Sequence, residues 1–162
     1  MASLQKRKTN RLKNYDYGEN GSYFITICVR DRQKILSKIV GAGVPDCPKI
    51  QLLYHGQIAD KYINKLNAFY DNISVDKYII MPDHIHFILT LKNGRSGTTT
   101  PTGNNNVSNV TRFVGTFKRF CNMEYGKNIF QRSYYDHIIR NQNDYNEIWE
   151  YIENNPKKNP EA

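Results

Sequence analysis

The run Met81-Pro82-Asp83-His84-Ile85-His86-Phe87-Ile88-Leu89 constrains this chain more than any other stretch. Side chains two apart on a strand face the same way. Ile85, Phe87 and Leu89 therefore form an apolar face, while His84 and His86 point together on the opposite one. The fold must supply a core for the first face and a role for the two imidazoles on the second. Such a pair either makes structural hydrogen bonds across a sheet or converges on a divalent ion with a third ligand from elsewhere.

The rest of the chain supplies partners for that strand. Tyr23-Phe24-Ile25-Thr26-Ile27-Cys28-Val29 is β-branched and aromatic and reads as a buried strand closed by Arg30-Asp31-Arg32. Residues 41–50 carry two Gly and two Pro and mark a loop or hairpin excursion. Apolar residues at helical spacing run from Leu52 to Tyr70. Strands follow at about 74–81 and 84–91, hinged by Pro82-Asp83. A second helix spans about Val107–Tyr125, and Tyr134–Arg140 reads as extended. A last helix covers about Asn143–Asn154 and is expected to end at Asn155-Pro156, because proline disfavours helix in the residue before it. The order β–α–β–β–α–β–α predicts an α+β fold with helices packed on a mainly antiparallel sheet.

At 162 residues the chain is expected to be a single domain, spanning 1–162. Residues 1–16 form a basic arm, read either as a solvated terminus or as a phosphate contact, and 93–106 read as a flexible polar loop. No apolar run is long enough for a membrane span, and no secretory signal is visible. Cys28, Cys47 and Cys121 are odd in number and far apart, which argues against a disulfide framework and for a reducing, cytoplasmic setting. The formal net charge of +8 favours a polyanionic partner, nucleic acid first.

The last helix adds chemistry. Its apolar stripe is Tyr145, Ile148, Trp149 and Ile152, and Tyr151 falls ~110° from the centre of that stripe. Asn155 lies one turn further along the same side, so a hydroxyl and an amide oxygen are presented together. A tyrosine flanking a stripe is also compatible with simple amphipathic packing. Combined with two strand imidazoles, it describes a metal site beside an oxygen nucleophile. On a basic protein, that pairing points to phosphodiester cleavage through a phosphotyrosine.

Met81-Pro82-Asp83-His84-Ile85-His86 resembles the His-hydrophobic-His (HUH) element of insertion-sequence transposases that use a single catalytic tyrosine. The resemblance continues through Tyr23-Phe24-Ile25-Thr26 with Arg30-Asp31-Arg32, Phe117-Lys118-Arg119, Tyr135-Asp136-His137-Ile138-Ile139-Arg140 and Tyr151-Ile152-Glu153-Asn154-Asn155-Pro156. This succession is most similar to the REP-associated tyrosine transposases. The resemblance implies a ferredoxin-like or RRM-like sheet and a homodimer. It implies His84, His86 and Asn155 as ligands for Mg²⁺ or Mn²⁺, and Tyr151 as nucleophile. The implied reaction cuts and joins single-stranded DNA next to hairpins, leaving a 5′-phosphotyrosine and a free 3′-OH.

Lys118, Arg119, Arg140 and His137 are the candidate DNA contacts, with ordinary solvated or structural roles as the alternative. Tyr134 and Tyr135 either stack on unpaired bases or pack in the core. The competing functional class is a non-catalytic or domesticated RRM-like binder of single-stranded nucleic acid, but the paired aromatics of the RRM signature are absent.

Overall fold

The alternating runs read from the sequence become the central strands of one sheet. The structure, a computed structural model, describes residues 20–41, 48–92 and 109–158. The arm at 1–16, the loop at 93–106, Cys47 and most of the 41–50 excursion lie outside the described residues. In chain order the elements are β1 (Gly21–Cys28), β2 (Ser37–Val40), β3 (Lys49–Leu52), α1 (Tyr54–Phe69), β4 (Ile73–Ile80), β5 (His84–Leu91), α2 (Asn109–Tyr125), β6 (Tyr135–Ile139) and α3 (Gln142–Lys158). The main sheet has the order β4-β5-β1-β6 and is antiparallel throughout. With α1 and α2 as the two crossovers, this is the ferredoxin-like α+β arrangement expected. β2 and β3 form a separate hairpin between β1 and α1.

Strand parity divides the sheet into two unlike faces. Tyr23, Ile25 and Ile27 of β1 and Ile85, Phe87 and Leu89 of β5 pack against Ile63 and Leu66 of α1 and Phe113 and Phe117 of α2. The opposite face has a smaller apolar cluster, in which Ile88 and Ile139 meet Ile152 of α3, flanked by Phe24, Ile148 and Trp149. α1 and α2 thus share one face, and α3 closes part of the other.

The boundary of α3 corrects the sequence reading. The helix does not stop at Asn154 but runs through Pro156 to Lys158, with Asn155 and Pro156 both buried. Proline here removes a single hydrogen bond in the last turn, and burial of that turn against the protein outweighs the loss. Lys157 and Lys158 also suit the negative end of the helix dipole. Leu52 likewise ends a strand rather than opening α1.

A polar tether fixes α3 to the sheet. The ladder between β4 and β5 shifts register between Val75 and Lys77, which sets Asp76 at a bulge. Its carboxylate accepts hydrogen bonds from Ser74 Oγ at 2.7 Å, Thr90 Oγ1 at 2.5 Å and Tyr145 Oη of α3 at 3.0 Å. Burial, and then the Asp76 carboxylate beside it, push the Tyr145 phenol up to about 12, so it remains a donor. Lys77 adds a cation–π contact to Trp149, with Nζ 4.4 Å from the ring centroid, and an ion pair to Glu153 at 3.6 Å.

Two glycines give opposite expectations. A Cβ on Gly56 would lie 2.0 Å from the backbone oxygen of Leu36, whereas one on Gly115, mid-helix in α2, meets nothing within 4 Å. Gly56→Ala should lower the unfolding free energy by about 1–3 kcal/mol through overpacking. Gly115→Ala should raise it by about 1 kcal/mol. Urea unfolding curves for the two variants check both signs. Trp149 is the only tryptophan in the chain, so its emission reports on α3. Tyr145→Phe, which removes a hydrogen bond to a carboxylate, should shift the emission midpoint to lower urea by the equivalent of about 1.5–3 kcal/mol.

Candidate active site

The register of the two central strands assembles the site. Thr26 is paired with His86 and Cys28 with His84 across β1 and β5. The imidazoles of His84 and His86 lie on the α3 face with ring centroids 4.5 Å apart. Tyr151 of α3 reaches the same spot, its ring centroid 5.5 Å from that of His86. Phe24 packs against both, stacked on His86 at 5.1 Å and edge-on to Tyr151 at 5.9 Å. Two strands and one helix, far apart in sequence, thus place four rings around a common point.

Each histidine is oriented by a second group. His84 Nδ1 donates to the Asp83 carboxylate at 2.5 Å, which directs its Nε2 lone pair away from the turn. Burial opposes charge on Asp83, but the hydrogen bond and charge of His84, together with the Arg32 guanidinium, outweigh it and hold the carboxyl below its usual range. Arg32 reaches Asp83 at 3.3 Å from a tight turn in which Asp31 and Arg32 both have φ of 53°. Two consecutive non-glycine residues in the left-handed region cost roughly 1–2 kcal/mol each, and this strain lies beside the histidines.

His86 Nδ1 shares a hydrogen bond of 2.8 Å with Thr26 Oγ1. Its Nε2 is buried and has no hydrogen-bond partner among the described residues. The ring is 5% exposed, and burial, reinforced by His84, pushes its pKa down to about 3. The imidazole is therefore neutral at physiological pH, the form that coordinates metals. Among the described residues, no group of three or more His, Cys, Asp and Glu side chains is gathered to hold an ion. The residues present fit a divalent ion as a two-nitrogen half-site that needs oxygen donors to complete it. Asn155, one turn beyond Tyr151, carries a donor of that type and is completely buried, whereas Tyr151 is 37% exposed. The expectation that both side chains would be displayed together holds for Tyr151 only.

The remaining candidates are dispersed. Lys118 does not present a free ammonium. Its Nζ donates to the carbonyls of Gln131 at 2.8 Å and Ser133 at 3.0 Å, and burial pushes its pKa down to about 8. Expected as a phosphate contact, it instead pins the segment leading into β6, because its Nζ reaches the backbone carbonyls there. Arg119 is exposed on α2, against Phe120 and behind the sheet from Tyr151. His137, on the α3 face of β6, meets Asp144 at 3.0 Å, and the same carboxylate accepts the Arg140 backbone N–H at 3.2 Å. With Asn141 Oδ1 accepting from Asp144 N at 2.9 Å, these contacts cap α3. The Arg140 side chain is left at the surface.

Sequence reasoning assigned no role to Thr26, Phe24, Asp83 or Arg32. Asp83 had a local signal, an acid directly before His84. Thr26 and Phe24 lie in a segment that the resemblance covers, but only the β1–β5 register brings them to His86.

Comparison with known proteins accords with this geometry. No protein-family model matches the chain. An uncharacterized protein of Haemophilus influenzae is 29% identical over 169 residues, covering 96% of this chain and 91% of its own length. A REP-associated tyrosine transposase of Escherichia coli is 27% identical over 143 residues, covering 88% of this chain and 70% of its own. Among solved structures, a REP-associated tyrosine transposase bound to a REP hairpin superposes with a TM-score of 0.62 at 23% identity, over 91% of this chain and 73% of its own. This chain is thus similar in sequence to one REP-associated tyrosine transposase and shares the fold of another.

Proposed function

We propose that the chain is a transposase that cuts and joins single-stranded DNA at hairpin-associated sites, with Tyr151 as the nucleophile. The observation that carries this reading is the Tyr151 ring 5.5 Å from His86, whose buried Nε2 has no hydrogen-bond partner among the described residues. It is supported by sequence similarity to the E. coli REP-associated tyrosine transposase and by a shared fold with a relative bound to a REP hairpin.

The chemistry follows from the groups present. Tyr151 Oη attacks phosphorus, the bond from phosphorus to the 3′ oxygen breaks, and the proton lost by the phenol is matched by one gained at the leaving 3′ oxygen. The products are a 5′-phosphotyrosine and a free 3′-OH, and attack by another 3′-OH reverses the step and joins a new end. His84, His86 and Asn155 would hold Mg²⁺ or Mn²⁺. When bound, such an ion neutralises charge developing on the phosphodiester. Asp83 and Thr26 keep the imidazoles oriented, Phe24 restricts the Tyr151 ring, and burial around His86 excludes water. The homodimer implied by the sequence resemblance belongs to the same proposal.

Incubation with labelled single-stranded hairpin DNA and Mn²⁺, followed by a denaturing gel, tests this reading. Wild-type protein should form a covalent adduct, and Tyr151→Phe should lose it while still binding DNA. An adduct that survives in Tyr151→Phe would overturn the nucleophile. Absence of any adduct with wild-type protein, binding intact, would favour the non-catalytic single-strand binder. His86→Ala should abolish the adduct and weaken Mn²⁺ binding measured by calorimetry. Circular dichroism should show the sheet still folded, while the urea midpoint falls, because the variant empties a buried site and breaks the hydrogen bond to Thr26.

A further inference from the structure

On the face of the molecule away from Tyr151, α1 and α2 enclose a groove of about 550 Å³ lined by Tyr62, Lys65, Phe69, Arg119 and Phe120 among others. Arg119 also borders a neighbouring depression along α2 that contains Lys127 and Met123. None of the described residues lining either one is acidic. Glu124, close by on α2, is already paired with Lys61 at 2.6 Å.

The groove is rich in aromatic rings. Tyr62 and Phe120 stack nearly parallel, 8° apart with centroids at 5.5 Å. Phe69 is 75% exposed at the groove edge, where it continues the apolar lining formed by Leu66, Tyr70 and Phe120, the kind of contiguous patch that marks a binding surface. Cations frame the rings, with Lys65 Nζ 5.7 Å from the Tyr62 centroid and Arg119 Cζ 5.2 Å from that of Phe120.

An exposed aromatic ring bordered by cations is the combination that holds an unpaired strand, with bases on the ring and phosphates on the cations. A duplex keeps its base faces stacked and cannot use the rings. A second copy of the chain fits poorly, since a two-fold contact through this patch would set Lys65, Arg119 and Lys127 against their own counterparts. We propose that the α1–α2 groove is a second contact surface for single-stranded nucleic acid, distinct from the Tyr151 site. The choice of DNA as the probe rests on the proposed function, whereas the surface itself does not.

The test is fluorescence anisotropy with labelled oligodeoxythymidylate about 16 nucleotides long, in EDTA and over a range of salt concentrations. Phe69→Ala should weaken binding by about fivefold or more with the salt dependence unchanged. The double variant Lys65→Ala/Arg119→Ala should weaken binding and flatten the slope of log K against log salt by about 1.4, the loss of two phosphate contacts. All three side chains are exposed, and circular dichroism should show unaltered folding. Wild-type affinity in both variants would overturn the proposal. So would equal competition by a duplex of the same length, or a dimer in sedimentation that Phe69→Ala dissociates without change in DNA binding. This assay reads binding in EDTA, and the Mn²⁺ adduct gel reads the nucleophile. Failure of the groove and failure of the nucleophile are thereby read separately.

Discussion

The pairing of β1 with β5 is the interaction on which everything else depends. Side chains alternate along both strands, so the register that sets Thr26 opposite His86 also sends Ile25, Ile27, Ile85 and Phe87 to the α1–α2 side. A slip of one residue would drive two imidazoles into the apolar core and expose the residues that form it. The core therefore enforces the site: the apolar contacts that stabilise one face determine, to the residue, what the other face presents.

That second face is built against stability. It carries a buried imidazole nitrogen without a hydrogen-bond partner among the described residues, two consecutive left-handed residues at Asp31 and Arg32, and a proline in the last turn of α3. An unsatisfied buried polar atom alone costs about 1–3 kcal/mol. Such concentrations of cost mark places where binding or chemistry, not folding, set the residue. The compensation is local. Asp76 gathers three hydroxyls at the β4 bulge, and Lys77 holds Trp149, so α3 is docked by polar contacts as well as by Ile152.

The basic charge is also sorted by the fold. Lys118 looks in sequence like its neighbour Arg119, yet one is committed to backbone carbonyls and the other lies exposed beside Phe120. Helical periodicity places both outside the apolar stripe of α2. It cannot distinguish a side chain facing solvent from one facing the backbone carbonyls of Gln131 and Ser133. Net charge thus pointed to a polyanion without identifying which cations are available to meet it.

The sequence by itself determined the elements and their faces, because periodicity is a local property. It placed His84 and His86 on one side of a strand, Tyr151 on the flank of the last helix, and an antiparallel α+β sheet as the frame. It missed the continuation of α3 through Pro156, since the burial that overrides proline's local preference comes from residues far along the chain. It likewise could not reach Thr26 and Phe24 as partners of His86, or the separation of Arg119 from Tyr151 by the thickness of the sheet. Only tertiary structure decided those, because strand register and helix docking are set by contacts between segments dozens of residues apart, and no local spacing encodes them.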